Sequence, residues 1–144
     1  MKYIGIDPGK SGGIAIISEE GAFAIKMPET EKDIFEYLRD NSYNSFCLIE
    51  QVHAMPGQGV TSMFNFGMGY GGLRMALIGA NIPFETVTPQ KWQKALGCRT
   101  GGDKNVSKRK AQELFPDIKI THAIADCLLI AHYAVRYNAT ERFF

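Results

Sequence analysis

The chain has 144 residues, 45% of them hydrophobic, which suffices for one domain over residues 1–144 with a core that needs neither disulfides nor a structural metal. Its three cysteines, Cys47, Cys98 and Cys127, are odd in number and far apart with no CxxC pair, which excludes a disulfide framework and a zinc or redox motif and leaves reduced thiols. A formal net charge of +1 does not by itself point to nucleic acid, so the distribution of charge matters more than its total.

The first residues, MKYIGIDPGKSGG, are apolar only briefly and are interrupted by Asp7 and Pro8. Neither a signal peptide nor a membrane span is expected there, a cytoplasmic location is expected, and the Asn138-Ala139-Thr140 glycosylation pattern is expected to be accidental. Lys2 to Asp7 is a β-rich run ending in Pro-Gly, Gly13 to Ser18 is a second and Ala22 to Met27 a third, with glycine-containing turns between them, as in a meander. Thr30 precedes a helix over Glu31 to Arg39, where Ile34, Phe35 and Leu38 recur at helical spacing and Asn41 closes the segment. Ser45 to Glu50, SFCLIE, is a continuous apolar run of strand length that ends on a carboxylate, as suits a buried strand beside the first. A loop rich in Gly and Pro covers Val52 to Val60.

From Thr61 to Gly79 the apolar and small residues run too long for a strand, so a helix is expected despite Gly67, Gly69, Gly71 and Gly72. Each interior glycine costs about 1 kcal/mol relative to alanine, so this many imply a packing reason, such as close contact with another helix or subunit. Pro83 to Val87 is a further short strand, and Thr88-Pro89 supplies a cap followed by proline at the first helical position. Cys98 to Asp103 forms a loop, and Lys104 to Phe115 and Thr121 to Tyr137 form the last two helices, with Pro116 between them. Three strands, helix, strand, helix, strand, helices is the order of the RNase H-like fold, an α/β arrangement with a mixed five-stranded sheet flanked by helices. No internal repeat or linker marks a second domain.

Asp7 ends an apolar strand directly before Pro8-Gly9, a position where an unpaired charge costs several kcal/mol unless a cation or donors compensate. A turn aspartate capping Pro-Gly is the alternative. Glu50 repeats the pattern, and if the two strands are parallel neighbours, both carboxylates emerge together, as a hard cation such as magnesium requires. Asp126 lies among Ala125, Cys127, Leu128 and Leu129 in the last helix, and His122 precedes it by one turn on the same face, as ligand, cap or core residue. Asp7, Glu50 and Asp126 would together hold two divalent metals about 4 Å apart, giving phosphodiester hydrolysis with 5'-phosphate products. Between Thr86 and Ile120, eight Lys or Arg (Lys91, Lys94, Arg99, Lys104, Lys108, Arg109, Lys110, Lys119) stand against three acids (Asp103, Glu113, Asp117), which marks either a solvated helical surface or a phosphate-binding face.

IGIDPGKSGG, IEQVHAM and the run from Met63 through GLRMALIGANIPFETVTPQKWQKALG to HAIADCLLIA resemble, in order and over nearly the whole chain, the RuvC-type Holliday junction resolvases, most of all their short bacteriophage members. The resemblance implies a homodimer that nicks a four-way DNA junction with magnesium or manganese and no organic cofactor. It implies that Asp7, Glu50 and Asp126 stand at three of the family's four acidic ligand positions. Where the fourth aspartate is expected, this chain offers His122, and imidazole suits manganese better than magnesium. His53 falls in the loop where some members stack an aromatic on a junction base, with a plain loop histidine as the alternative. Phe64 and Phe66 are other candidate wedges, or else core or dimer contacts. The Thr61 to Gly79 helix corresponds to the dimer-forming helix, and Lys91, Lys94, Lys104, Lys108 and Arg109 match a region that contacts junction phosphates. Trp92 is expected to pack its helix on the sheet.

Competing readings are weaker or finer. A P-loop would need glycine where Ile4 stands, and sugar-kinase or actin-like ATPases are far longer. A broader branched-DNA or flap nuclease, an RNA:DNA hybrid nuclease, or a junction-binding protein with a decayed metal site share the same motifs.

Overall fold

The computed structural model describes residues 1–140; the last four residues of the expected 1–144 domain lie outside the described residues. The elements are β1 (Lys2–Asp7), β2 (Gly13–Ser18), β3 (Gly21–Lys26), α1 (Glu31–Asp40), β4 (Ser45–Glu50), α2 (Val60–Gly79), β5 (Phe84–Val87), α3 (Pro89–Ala95), α4 (Lys104–Leu114) and α5 (His122–Thr140). The five strands form one sheet in the order β3-β2-β1-β4-β5. β2 runs antiparallel to β1 and β3, whereas β1, β4 and β5 are mutually parallel, so the sheet is mixed as expected.

Alternation along the strands divides the core in two. Ile4, Ile6, Cys47 and Ile49 face α1 and α2 together with Leu38, Leu73 and Leu77. Tyr3, Phe46 and Leu48 face the other way, toward a cluster built from Trp92, Ala111 and the buried length of α5. Because β4 is covered on both faces, SFCLIE carries no polar alternation until Glu50. By the same alternation Asp7 and Glu50 both fall on the α5 face.

Gly5 explains how closely α5 approaches. A Cβ there would collide with the backbone of Cys127 and Ala131, so β1 and α5 touch main chain to main chain. Gly13 is similarly closed by the carbonyls of Ile25 and Ala123, at 2.6 and 2.9 Å from where a Cβ would stand. These contacts bring the first turns of α5, with Asp126, over the end of β1.

Element ends are set by local chemistry. Thr30 caps α1 by accepting from the Asp33 N–H at 3.1 Å, Thr88 caps α3 by accepting from Lys91 at 3.3 Å, and Asp103 caps α4 by accepting from Asn105 at 3.0 Å. α5 runs three residues past the expected end at Tyr137, where the buried Asn138 side chain donates to the Tyr3 hydroxyl at 3.2 Å and anchors the helix to β1. The expected packing reason for the α2 glycines is not met within the chain. Gly67, Gly69, Gly71 and Gly72 face open space among the described residues, and only Gly79 packs, against the Phe35 ring at 3.5 Å. Cys47, Cys98 and Cys127 are free thiols and all buried. Among the described residues, no helix is long and apolar enough to cross a membrane.

Candidate active site

β1 and β4 run parallel in register, Ile6 beside Ile49, so the next residues, Asp7 and Glu50, leave adjacent strands at the same end. α5 adds Asp126 from above. The three side chains are mostly enclosed by protein, and burial together with neighbouring charge shifts their pKa values. Burial first, then the charges of Glu50 and Asp126, push Asp7 up to about 8, with Lys104 pulling the other way. Glu50 is pushed up to about 7 by burial and by Asp126, against a hydrogen bond from Trp92. Asp126 is raised by burial, partly offset by the Ser107 hydroxyl, Lys104 and His122.

A carboxylate triad raised in this way is short of positive charge. Three hard oxygen donors on one face, each disfavoured as an anion, match what a divalent cation of the magnesium or manganese kind would bind. Among the described residues, no three His, Cys, Asp or Glu side chains converge tightly enough to enclose a cation as they stand. The donor types fit; the closing-in of the carboxylates is what a cation would have to bring about by cancelling their mutual repulsion.

No protein-family model matches the chain, and no curated protein does. Solved structures do. A Thermus thermophilus RuvC structure superposes with a TM-score of 0.68 at 19% identity, covering 96% of each chain. RuvC of the same organism in complex with Holliday junction substrate gives 0.69 at 17% identity, covering 98% of this chain and 96% of the other. The yeast mitochondrial Holliday junction resolvase Ydc2 gives 0.58 at 15% identity, covering 94% and 78%. The chain has the RuvC fold. The RNase H-like arrangement expected from the order of elements is therefore the one observed.

On this RuvC fold the expected site residues separate into those gathered at the carboxylates and those held elsewhere. His122, exposed at the first position of α5, acts on Asp126 from one turn away. Of the five basic residues singled out, Lys104, at the start of α4, is the one whose charge reaches Asp7 and Asp126. Lys91 instead sets its ammonium over the Tyr137 ring at 5.3 Å, and about 16 Å of helix separates Tyr137 from Asp126. Lys94 and Arg109 are exposed, Lys108 is half-buried, and neighbouring Lys110 pairs with Glu113 at 3.6 Å. His53 is exposed in the loop after Glu50. The two phenylalanines part company: Phe66 lies over Gly9 beside the Asp7 turn, whereas Phe64 is 66% exposed.

Trp92 does more than the packing expected of it. It is fully buried, and its indole Nε1–H donates to Glu50 Oε2 at 2.7 Å. Gly5 is the other residue whose place at the site was not foreseen, and Lys104, expected to meet junction phosphates, was not expected to act on the carboxylates. A glycine inside an apolar strand and an indole in need of an acceptor were signals already present in the sequence.

Proposed function

We propose that the chain is a metal-dependent endonuclease that acts on four-way DNA junctions by phosphodiester hydrolysis, leaving 5'-phosphate ends. The observation that carries the reading is the placing of Asp7, Glu50 and Asp126, from β1, β4 and α5, on one face with raised pKa values. The RuvC fold supports the choice of substrate, since one of the matching structures holds a Holliday junction.

Asp7, Glu50 and Asp126 would hold two divalent ions, with His122 at the edge of the set. Bound there, such ions supply activation of water and stabilisation of charge at the scissile phosphate. The protein's own part is positional. Asp7 sits where both other carboxylates act on it, Lys104 supplies positive charge toward an approaching phosphate, and the buried walls of β1 and α5 limit water at the site.

A second copy of this chain is the proposed partner. Val60, Phe64, Gly67, Met68, Gly71, Met75 and Ile78 form a stripe on α2 opposite the buried Leu73, Ala76 and Leu77, and its apolar members are exposed. Glycines open to solvent on such a stripe let a second backbone approach closely.

The test is a labelled immobile junction set beside a linear duplex, a flap and an RNA:DNA hybrid, in magnesium, manganese or chelator, with the Asp7→Asn variant in parallel. Paired symmetric nicks confined to the junction, dependent on metal and absent in the variant, support the reading. Cleavage of flap or hybrid at equal rate would move the activity to a broader nuclease, and tight junction binding without cleavage in either metal would make this a binding protein on a nuclease fold.

A further inference from the structure

We propose that Trp92 is a positioning residue for the metal centre, its indole N–H holding one oxygen of Glu50 so that the other is presented to the cation. The proposal rests on the metal-centre reading above and concerns how this chain orients one of the ligands.

The path between the two residues contains no loop. Glu50 stands beside Val87 in the β4–β5 ladder, and the Gln51 N–H donates to the Val87 carbonyl at 2.7 Å. Val87 leads directly to Thr88, whose hydroxyl caps α3, then to Pro89 at the first helical position. Trp92 follows in the first turn. Paired strands, a capped helix start and a proline with restricted φ therefore fix where the indole stands relative to Glu50.

The choice of donor is informative. An indole N–H only donates, and when buried it needs an acceptor that any backbone carbonyl could provide. Here it takes a carboxylate oxygen at 2.7 Å, in the short range of charge-assisted bonds. A lysine or arginine at this place would orient Glu50 equally well but would also neutralise it and compete with a cation. A neutral donor holds the side chain and leaves its charge for the metal. With Oε2 engaged by the indole, Oε1 is the oxygen that Glu50 would present to a cation.

Trp92 is the single tryptophan of the chain, so both its indole N–H resonance and its emission report on this one contact. The experiment measures manganese binding by calorimetry in the wild type, Trp92→Phe and Asp7→Asn, with a melting curve for each. It also follows the indole N–H resonance of the wild type and of Asp7→Asn during magnesium titration. Trp92→Phe is expected to remain folded, to bind manganese about 10- to 100-fold more weakly, and to bind the junction in chelator as the wild type does. The indole resonance of the wild type should shift in a saturable way, and that shift should disappear in Asp7→Asn. Wild-type manganese affinity in folded Trp92→Phe would overturn the positioning role while leaving the metal centre standing. No manganese binding by the wild type would overturn the metal centre and this role together. Should Trp92→Phe fail to fold, the resonance decides: an indole N–H unmoved by saturating magnesium refutes the proposal.

Discussion

At Asp7 three carboxylates share a volume of low dielectric, and the consequence is a stability that depends on pH in the unusual direction. Most carboxylates are more acidic folded than unfolded; Asp7 and Glu50, pushed up to about 8 and about 7, are less so. The folded chain therefore binds protons more tightly than the unfolded chain between the ordinary carboxylate range and about pH 8. The metal-free protein is accordingly most stable, as far as these groups decide it, at the acidic end, and it loses stability as pH rises through 7 to 8. Melting in chelator should fall by several degrees between about pH 5 and about pH 8, and added magnesium or manganese should restore more at the alkaline end than at the acidic one. Asp7→Asn removes the largest of these shifts: its metal-free melting point should exceed that of the wild type near pH 8, while cleavage falls by at least about 10³-fold. A melting point that rises with pH in chelator would show that the carboxylates are already compensated. Asp7 and Glu50 were legible as candidate site residues because each ends an apolar run, and Asp126 because it interrupts one. The Trp92 contact was not, since it joins residues 42 apart in sequence, and no local pattern tells which acceptor a buried indole will find.

Helices and strands were legible to within a residue or two wherever periodicity and caps agreed, as at Thr30 and Thr88. What single elements did not disclose was how closely they approach. Gly5 reads in sequence as an ordinary member of IGID, yet the α5 backbone occupies the place of its missing side chain. Gly5→Ala should therefore push α5 from β1 and destabilise the fold by about 1–3 kcal/mol or more, as overpacking of a tight interior does. Thermal melting would show this, and a melting point within a degree of the wild type would mean that α5 can shift at little cost. α2 makes the opposite case. Its glycines were expected to serve packing, and since none of the four central ones meets another part of the described chain, the stripe that Gly67 and Gly71 share with Phe64 and Met68 is open to the proposed second copy. Replacing both Phe64 and Met68 by Asp should yield a monomer by light scattering, with the cleavage of paired strands uncoupled. Because both side chains are exposed in the single chain, loss of the fold itself would instead place them in a core.

Across the whole molecule the weak net charge conceals an uneven arrangement that bears on the proposed DNA substrate. The basic run from Thr86 to Ile120 does not form one uniform patch, because Lys91 is turned to Tyr137, Lys110 is paired with Glu113, and Lys104 alone of the five singled-out cations acts on the carboxylates. An anionic site and a polyanionic substrate can meet only if cations offset the repulsion between them, and Lys104 is the nearest of these to the chemistry. Junction affinity should fall steeply with salt, and each phosphate contact removed should lower the slope of log affinity against log salt by about 1. Lys104→Ala is expected to lower that slope by about 1 and to slow cleavage beyond its loss of affinity, since the same ammonium also pulls the pKa values of Asp7 and Asp126 down and favours their anions. Lys91→Ala should leave both nearly unchanged. If instead Lys91→Ala lowers the slope and Lys104→Ala does not, the junction arms follow α3 toward the far end of α5, and the phosphate track has to be redrawn away from the start of α4.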